Sequence, residues 1–598
     1  MKKIVTILVF ILFASEMLSI NRYVTNTNDS GLGSLRQVVG LAGPSDVIYF
    51  NSNLIANGSD TIKLNSTISI TNNFNIKGLN NATDTLYISG QNLTRVFSAS
   101  STCKYLIMDN IYIINGNGRT AFQNGGALSF LGENIIITNS NFVGNEGYNG
   151  GSIYISTRGN VTNFKIKNIK IKNSIASESG GGIYVLAGGI SNIAFEFFNN
   201  IISKNRCLNG DGGGMNSQFF SDSSSINIKN CIFNLNQSQD NGGGLFLENI
   251  HTGQPNFFRT DIYNSKIFQN NAGGYGGGIY TNEFLKNNET NIKDSKIFQN
   301  KSVSDGGGIY SLVFVNGISG FNIINTTIDS NISTSGSGGG LYLQCGNANT
   351  PSLYNSTISN NKAKDNGGGV YFASSYNYSQ NVLSIINVTL FNNKVTNQFF
   401  SSPQAGGLYI LSNSNSAFKI NNSTIFQNDK YGVYNSSSGS SILSFKNSIF
   451  HSNLQQSFYS SRYSSQGFNI FEESSIPNSL SSDSLGISLS SLSLGVLSNN
   501  GGPSKTLLPG ISSIAVNNGT LFDTTEAQNG PVIDGRRDIG ACENGAGNYV
   551  SLKEEMKITS IKVKLYPNPT INYSNIEFEK EYKNIEIKLL DITGKEIA

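Results

Sequence analysis

Over most of the chain, apolar and polar residues alternate in runs too short for helices. In Gly180–Leu186, GGGIYVL, a period of two puts Ile183 and Val185 on one face and Tyr184 on the other. Phe321–Ile328, FNIINTTI, and Ser384–Leu390, SIINVTL, alternate β-branched residues with Asn, Ser or Thr, which predicts strands. Two or three such strands fall in each stretch of about 30 residues, and helix formers that could supply a crossover are sparse. The fold class this predicts is all-β: a right-handed parallel β-helix, a solenoid of about a dozen coils stacked ~4.8 Å apart.

Two phrases mark the coils. One is a glycine cluster before an aliphatic residue: GGAL at Gly125, GGSI at Gly150, GGGI at Gly180, GGGM at Gly212 and GGGL at Gly242. It continues as GGGI at Gly276 and Gly306, GGGL at Gly338, GGGV at Gly367 and AGGL at Ala405. The other places Asn three residues after a branched or aromatic one, as in Phe142–Asn145, Phe233–Asn236, Ile267–Asn270, Ile297–Asn300, Ile328–Asn331, Ile358–Asn361 and Ile425–Asn428. Glycine suits a corner that needs positive φ or close backbone approach. Asparagine suits a second corner, where it tolerates the left-handed conformation and can bond the Asn of the next coil.

Composition narrows the function classes. Charged residues are 13% of the chain and hydrophobic ones 38%, with no Trp and a formal charge of +3, and no Lys/Arg cluster forms a nucleic-acid footprint. Lys2 and Lys3 precede an apolar run, Ile4–Ala14, and small residues to Ser19, a secretory leader with cleavage expected near Ser19. No apolar run is long enough to span a bilayer. Cys103, Cys207, Cys231, Cys345 and Cys542 are scattered, odd in number and without a CxxC pair, which predicts buried thiols rather than a disulfide or zinc framework.

The domain boundaries follow: a signal peptide over 1–20, N-terminal coils and cap over 21–124, repetitive solenoid over 125–455 and a closing module over 456–545. A charged linker, 546–560, leads to a C-terminal domain at 561–598.

The candidate chemistry is sparse. Neither His251 nor His451 lies in a Gly-His-Gly context, and there is no Asp-Asp pair or Asn-Thr-Asp, so no catalytic residue and no cofactor is assigned. Acids precede several glycine clusters, namely Glu178, Asp211, Asp240, Asp305 and Asp365. Stacked in register, the four aspartates would be candidate Ca²⁺ ligands, although Asp-Gly and Asn-Gly are also ordinary turn dipeptides. If Ile183 points inward, Tyr184 points outward, with Tyr154, Phe246, Tyr280, Tyr310, Tyr342, Tyr371 and Tyr409 equivalent to it. This strip supplies the candidate ligand-contact residues, Tyr184, Tyr280, Tyr310, Tyr342, Tyr371 and Tyr409, with glycans or a host or neighbouring cell surface as the expected partner. The same rings could instead stack as a ladder that stabilises the sheet.

Four resemblances extend the picture. The paired Gly-Gly-x-Ile and Phe-x-x-Asn phrases, from Gly125 to about Asn453, resemble the repeats of polymorphic outer-membrane proteins, which implies a β-helical surface adhesin, here without a C-terminal autotransporter barrel. The opening YVTNTNDSGLGSLRQVV (Tyr23–Val39) with DVIYF (Asp46–Phe50) is similar to the start of many secreted bacterial β-helix proteins. The closing LSNNGGPSKTLLPG (Leu497–Gly510) with VIDGRRDIGACE (Val532–Glu543) resembles the choice-of-anchor Q family, although the acidic residue usual there is missing from ISSIAVNNG. The tail, with Tyr566, Pro567, Asn568 and Pro569 and a turn at Asp591–Lys595, is similar to the type A sorting domain of the type IX secretion pathway. That resemblance implies a small β-sandwich and the type IX machinery as a partner; further strands and a basic end usually follow the Gly-Lys turn, so a sorting domain that is either truncated or defective is expected here. Adhesion or glycan binding at a gram-negative cell surface is the function expected; the alternatives are a polysaccharide lyase or glycoside hydrolase with an unrecognised site, and a purely structural surface or matrix protein.

Overall fold

The protein is described from a computed structural model. It covers residues 19–546, apart from 158–161, 190–192, 222–223, 250–256, 284–287, 314–319, 347–348, 375–380, 398–403, 413–414, 522–525 and single positions 82, 439 and 534, and in the tail 563–566 and 575–578. The leader, most of the linker, His251 and Pro567, Asn568 and Pro569 therefore lie outside the described residues.

The alternation seen in the sequence closes into a parallel β-solenoid. One coil runs through strands Ile153–Thr157, Thr162–Lys167, Lys170–Lys172 and Ile175–Ala176, after which Ile183–Gly189 lies directly on the first of them. Each position therefore builds its own parallel sheet; among the described residues these hold 14, 16, 15 and 9 strands, called here the first to fourth sheets. The fourth strand, present in nine coils among the described residues, is a finding, because a segment of two residues is too short to show any period. Inward residues such as Ile183, Val185, Ile202 and Phe233 are fully buried, within one continuous apolar core running from Val24 to Phe471. Helix Leu35–Leu41, capped by the Ser34 side chain, contributes Leu35, Val38 and Val39 to that core and contacts strands Asn21–Val24 and Ile68–Ile70.

The two repeated phrases form two kinds of corner. The first glycine of each triplet between Gly180 and Gly367 has φ between 61° and 71°, which a side chain rarely adopts. The next two are needed for space: a Cβ on Gly307 would lie 2.4 Å from the Gly339 carbonyl oxygen, and one on Gly308 would lie 2.6 Å from that of Gly340. At the other corner the asparagines form an unbroken buried ladder from Asn205 to Asn453. Asn236 Nδ2 donates to Asn270 Oδ1 at 3.0 Å and to the Ile202 carbonyl at 2.9 Å, and the Asn236 backbone N–H donates to the same Asn270 oxygen at 3.0 Å. The sequence reading gave these asparagines the left-handed conformation, but that falls on the residue before each, as at Leu235, Gln269, Gln299 and Ser330. The ladder position requires a carboxamide for its hydrogen bonds. The left-handed position holds residues as different as Lys204, Leu235, Gln269, Ser330 and Asn360.

The C-terminal part of this unit is laid along the flank of the solenoid. After last-coil strands Gln456–Ser460, Tyr463–Ser465 and Ile470–Phe471, the chain returns along the third sheet. Gln528 Nε2 donates to Thr357 Oγ1 at 2.7 Å and its Oε1 accepts from Thr389 Oγ1 at 2.7 Å, while Ala541 N–H donates to Thr424 Oγ1 at 3.1 Å. Leu492, Leu507, Ala515 and Ile539 pack there against Phe426 and Ile449. Residues Val550–Ala598 form a separate unit, in which strands Val563–Tyr566 and Asn575–Phe578 pair antiparallel, Tyr566 opposite Asn575.

Candidate functional site

The outward column of the first sheet is an aromatic ladder. Tyr154 and Tyr184 stack at 5.5 Å, then Phe246–Tyr280 at 4.8 Å, Tyr280–Tyr310 at 5.3 Å, Tyr310–Tyr342 at 4.9 Å, Tyr342–Tyr371 at 4.8 Å and Tyr371–Tyr409 at 5.3 Å. It continues to Tyr434 and Tyr459, which the sequence reading missed because their coils, YGVYN and QSFYS, lack the glycine triplet. The expectation of an open strip needs correction for Tyr280 and Tyr310. They are 8% and 7% exposed: besides their stacked neighbours, they cluster with Phe246 and Leu312, and Tyr275 packs on Tyr310 at 4.7 Å. Tyr184, Tyr342, Tyr371 and Tyr409 are half-buried. Burial pushes the Tyr184 and Tyr371 phenols up to about 12, and nearby carboxylates and tyrosines add to the shift. What most of the ladder offers to the outside is therefore hydroxyl edges, with the ring faces already used.

Register places Asn216 in this column, between Tyr184 and Phe246. Beside the ladder runs a polar row. Tyr184 Oη donates to Gln218 Oε1 at 2.9 Å, Gln218 Nε2 donates to Glu248 Oε2 at 3.1 Å, and Asn282 Nδ2 donates to Glu248 Oε1 at 3.1 Å. Burial raises the Glu248 carboxyl above its ordinary value, and the charge of Asp211 adds to this. None of the first-sheet strands from Ile153–Thr157 to Gln456–Ser460 contains Lys or Arg.

The candidate Ca²⁺ column is not a single column. Asp211 and Asp305 precede their glycines directly, in register with Asn241, Tyr275, Ser337 and Asn366, whereas Asp240 and Asp365 stand one residue earlier. The carboxylates in register are already engaged with the next coil: Asp211 Oδ1 accepts the Asn241 N–H at 2.9 Å and Asp305 Oδ1 the Ser337 N–H at 2.6 Å. Burial raises both above the ordinary carboxylate range. Among the described residues no group of three or more His, Cys, Asp or Glu is arranged to hold a metal.

The second sheet carries a different surface, which sequence reasoning missed. Arg259 Nε lies 2.7 Å from Asp261 Oδ2, and its Nη1 lies 3.5 Å from Glu289 Oε2 on the next coil. Asn291 donates to Asp261 at 3.0 Å, Asn322 to Asn291 at 3.0 Å and Ser352 to Asn322 at 2.7 Å, forming a polar row across four coils. The hydrogen bond to Asp261 raises the Arg259 pKa, so the guanidinium stays charged and is no general base. Register alone brings these residues together; no local motif in the sequence contains them.

Other groups are fixed inside the structure. His451 is buried, with Nδ1 2.7 Å from Ser452 Oγ and Nε2 2.8 Å from the Ile487 carbonyl. All five cysteines are buried and unpaired, and burial pushes the Cys207, Cys231 and Cys542 thiols up to about 12. In the closing segment, Asp538 accepts N–H groups from Asn517 and Asn544 at 2.7 and 2.6 Å, Glu543 accepts that of Asp538 at 3.0 Å, and Arg537 donates to Asn387 at 2.7 Å. These charged residues hold the returning chain in place. Inside the solenoid, Glu283 accepts from Thr290 Oγ1, and burial raises its carboxyl to about 7 despite that bond.

Comparison with known proteins adds two findings. Residues 564–598 match the family described as "Secretion system C-terminal sorting domain". Among solved structures, the crystal structure of pectate lyase Pel9A is similar, with 12% sequence identity and a TM-score of 0.27 over 88% of this chain and 96% of that one. No match is found among curated proteins. The sorting domain makes this a secreted protein, released or attached at the outer surface of a Bacteroidetes-type gram-negative bacterium, with the type IX secretion machinery as a partner. Among the described residues no helix is long and apolar enough to cross a membrane.

Proposed function

We propose that this secreted solenoid binds glycans or a neighbouring cell surface through the outer face of its first sheet. The observation that carries the reading is the combination on that face of an aromatic column with a row of amide and carboxyl groups, Gln218, Glu248 and Asn282, beside it. Aromatic edges with hydroxyls, next to planar amides and carboxyls, are the groups that recognise sugar rings and their hydroxyls. The end segments support kinship with the choice-of-anchor Q group, and the glycine and asparagine phrases support kinship with the polymorphic outer-membrane proteins. Both kinships accord with a scaffold displayed outside the cell.

The test is a glycan array probed with the secreted chain, alongside a reducing-sugar assay on the same ligands. Retention without sugar release is the expected result. Replacing Tyr342, Tyr371 and Tyr409 by Ala should weaken retention; unchanged retention with a large loss of thermal stability would reduce the ladder to a structural device.

A second reading, a polysaccharide-cleaving enzyme, has one observation in its favour: two carboxylates, Asp261 and Glu289, bound to the same Arg259. Paired carboxylates ~5–10 Å apart are what glycoside hydrolysis requires. Sugar release that disappears in both Asp261→Asn and Glu289→Gln would favour this reading over binding alone.

A further inference from the structure

The aromatic ladder is interrupted once within its length, at the coil that carries Asn216. Tyr184 uses one face against Tyr154 and Phe246 uses one against Tyr280, at 5.5 and 4.8 Å. Between them the column holds Asn216 instead of an aromatic residue, and with Phe246 only 4% exposed the position is closed over in this structure. Two coil spacings, ~10 Å, separate the Tyr184 and Phe246 positions along the column, the room one more ring would take once the cover moves aside.

The floor of this gap is chemically unfinished. The Asn216 side chain is fully buried, and neither its amide oxygen nor its amide nitrogen has a hydrogen-bond partner. A buried carboxamide with both ends unmatched costs stability and calls for an explanation. The closed state has a visible latch: Tyr184 reaches along the sheet to donate to Gln218, two residues beyond Asn216. Gln218 in turn bonds Glu248, and the Asp211 carboxyl at the glycine corner is close enough to act on both Tyr184 and Glu248.

Resting on the glycan-binding reading, the geometry points to a single-sugar site at this gap, in which an uncharged pyranose ring is sandwiched between Tyr184 and Phe246. Its apolar C–H faces meet the two rings, and its hydroxyls satisfy the Asn216 amide and the carboxyl groups of Glu248 and Asp211. Entry requires Tyr184 to exchange its bond with Gln218 for one to the sugar. The acidic rim and the absence of Lys and Arg from the strands of this face select against uronic acids, because none of these strands supplies a cation to pair with a sugar carboxylate.

The experiment measures binding of the full secreted chain to neutral hexo-oligosaccharides and to oligogalacturonate, by calorimetry, together with melting temperature. Asn216→Tyr completes the column, so the variant should melt at or above the temperature of the parent while its affinity for the neutral ligand falls roughly tenfold or more. Tyr184→Ala removes one wall and should lower affinity to a similar degree, which keeps the test valid if Asn216→Tyr does not fold. Parent-like affinity in either folded variant, or oligogalacturonate bound as tightly as the neutral ligand, would overturn the site. If the parent still retains glycans in those cases, only this site falls; if the parent retains none, the wider glycan-binding reading falls with it.

Discussion

Two columns of like side chains run along this solenoid, and they differ in what they tolerate. The asparagine ladder is buried, and from Asn205 to Asn453 no coil departs from it; each amide from Asn236 to Asn428 gives both protons and accepts two bonds. The tyrosine ladder lies on the outer face, accepts Phe246 in place of tyrosine, and breaks at Asn216. The difference lies in what a missing member leaves behind. Inside, a lost amide orphans donors with no access to water. Outside, a lost ring is closed over by movable side chains: Asn216 is covered by neighbours that include Tyr184, which reaches across to Gln218. A column that must be unbroken is scaffold, and one that can be broken is free to carry function.

The sharpest way to test this contrast is at the corners that define the coils. Gly307→Ala would drive a Cβ to 2.4 Å from the Gly339 carbonyl oxygen and from the Ile332 carbonyl carbon, backbone atoms that cannot yield singly. A loss of about 5 kcal/mol or outright misfolding is expected, read by chemical denaturation. Asn300→Ala strands the Asn270 amide and backbone N–H and leaves the Ile267 carbonyl without its partner, at a cost of about 4 kcal/mol in the same measurement. If Asn300→Ala costs no more than a surface substitution, the buried ladder is not what holds the coils.

Glu283 supplies a pH-dependent comparison. Its folded pKa of about 7 lies above the ordinary 4.5, so the folded carboxyl keeps its proton while the unfolded one loses it. Stability therefore falls as pH rises from about 4.5 to about 7 and is flat above that. Glu283→Gln mimics the protonated form and keeps an acceptor for Thr290. It should match the parent at pH 4 and exceed it by about 3 kcal/mol at pH 8. A variant no more stable than the parent at pH 8 would contradict the raised pKa. The smallest effect belongs to the outer ladder: Tyr342→Ala loses stacking with Tyr310 and Tyr371 at a half-exposed position, about 2 kcal/mol. A cost larger than that of Asn300→Ala would reverse the ranking of the two columns.

Some of the site could be read along the chain and some could not. The outward tyrosines from Tyr154 to Tyr409 were legible because each follows an inward aliphatic residue at a glycine corner, so period and phrase agree. Tyr434 and Tyr459 escaped notice because their coils lack the phrase. The aspartates look like one column only when the glycine cluster is counted loosely, since counting back from the first glycine of each triplet already sets two of them one residue earlier. Backbone pairing shows that Asp240 and Asp365 stand a step before Asp211 and Asp305. The Arg259, Asp261 and Glu289 group could not be seen at all, since a loop separates the first two from the third.

By itself, the order of residues determined the architecture: a two-residue period, glycines at one turn and asparagines at another admit little besides stacked coils. The tertiary structure alone decided which chemistry each face presents. Neighbouring coils, some 30 residues apart in the chain, meet side by side, so a ring's exposure or a carboxylate's partner depends on the turns above and below it. Burial of Tyr310, engagement of Asp305 and the gap over Asn216 are properties of the stack, and no single turn contains them.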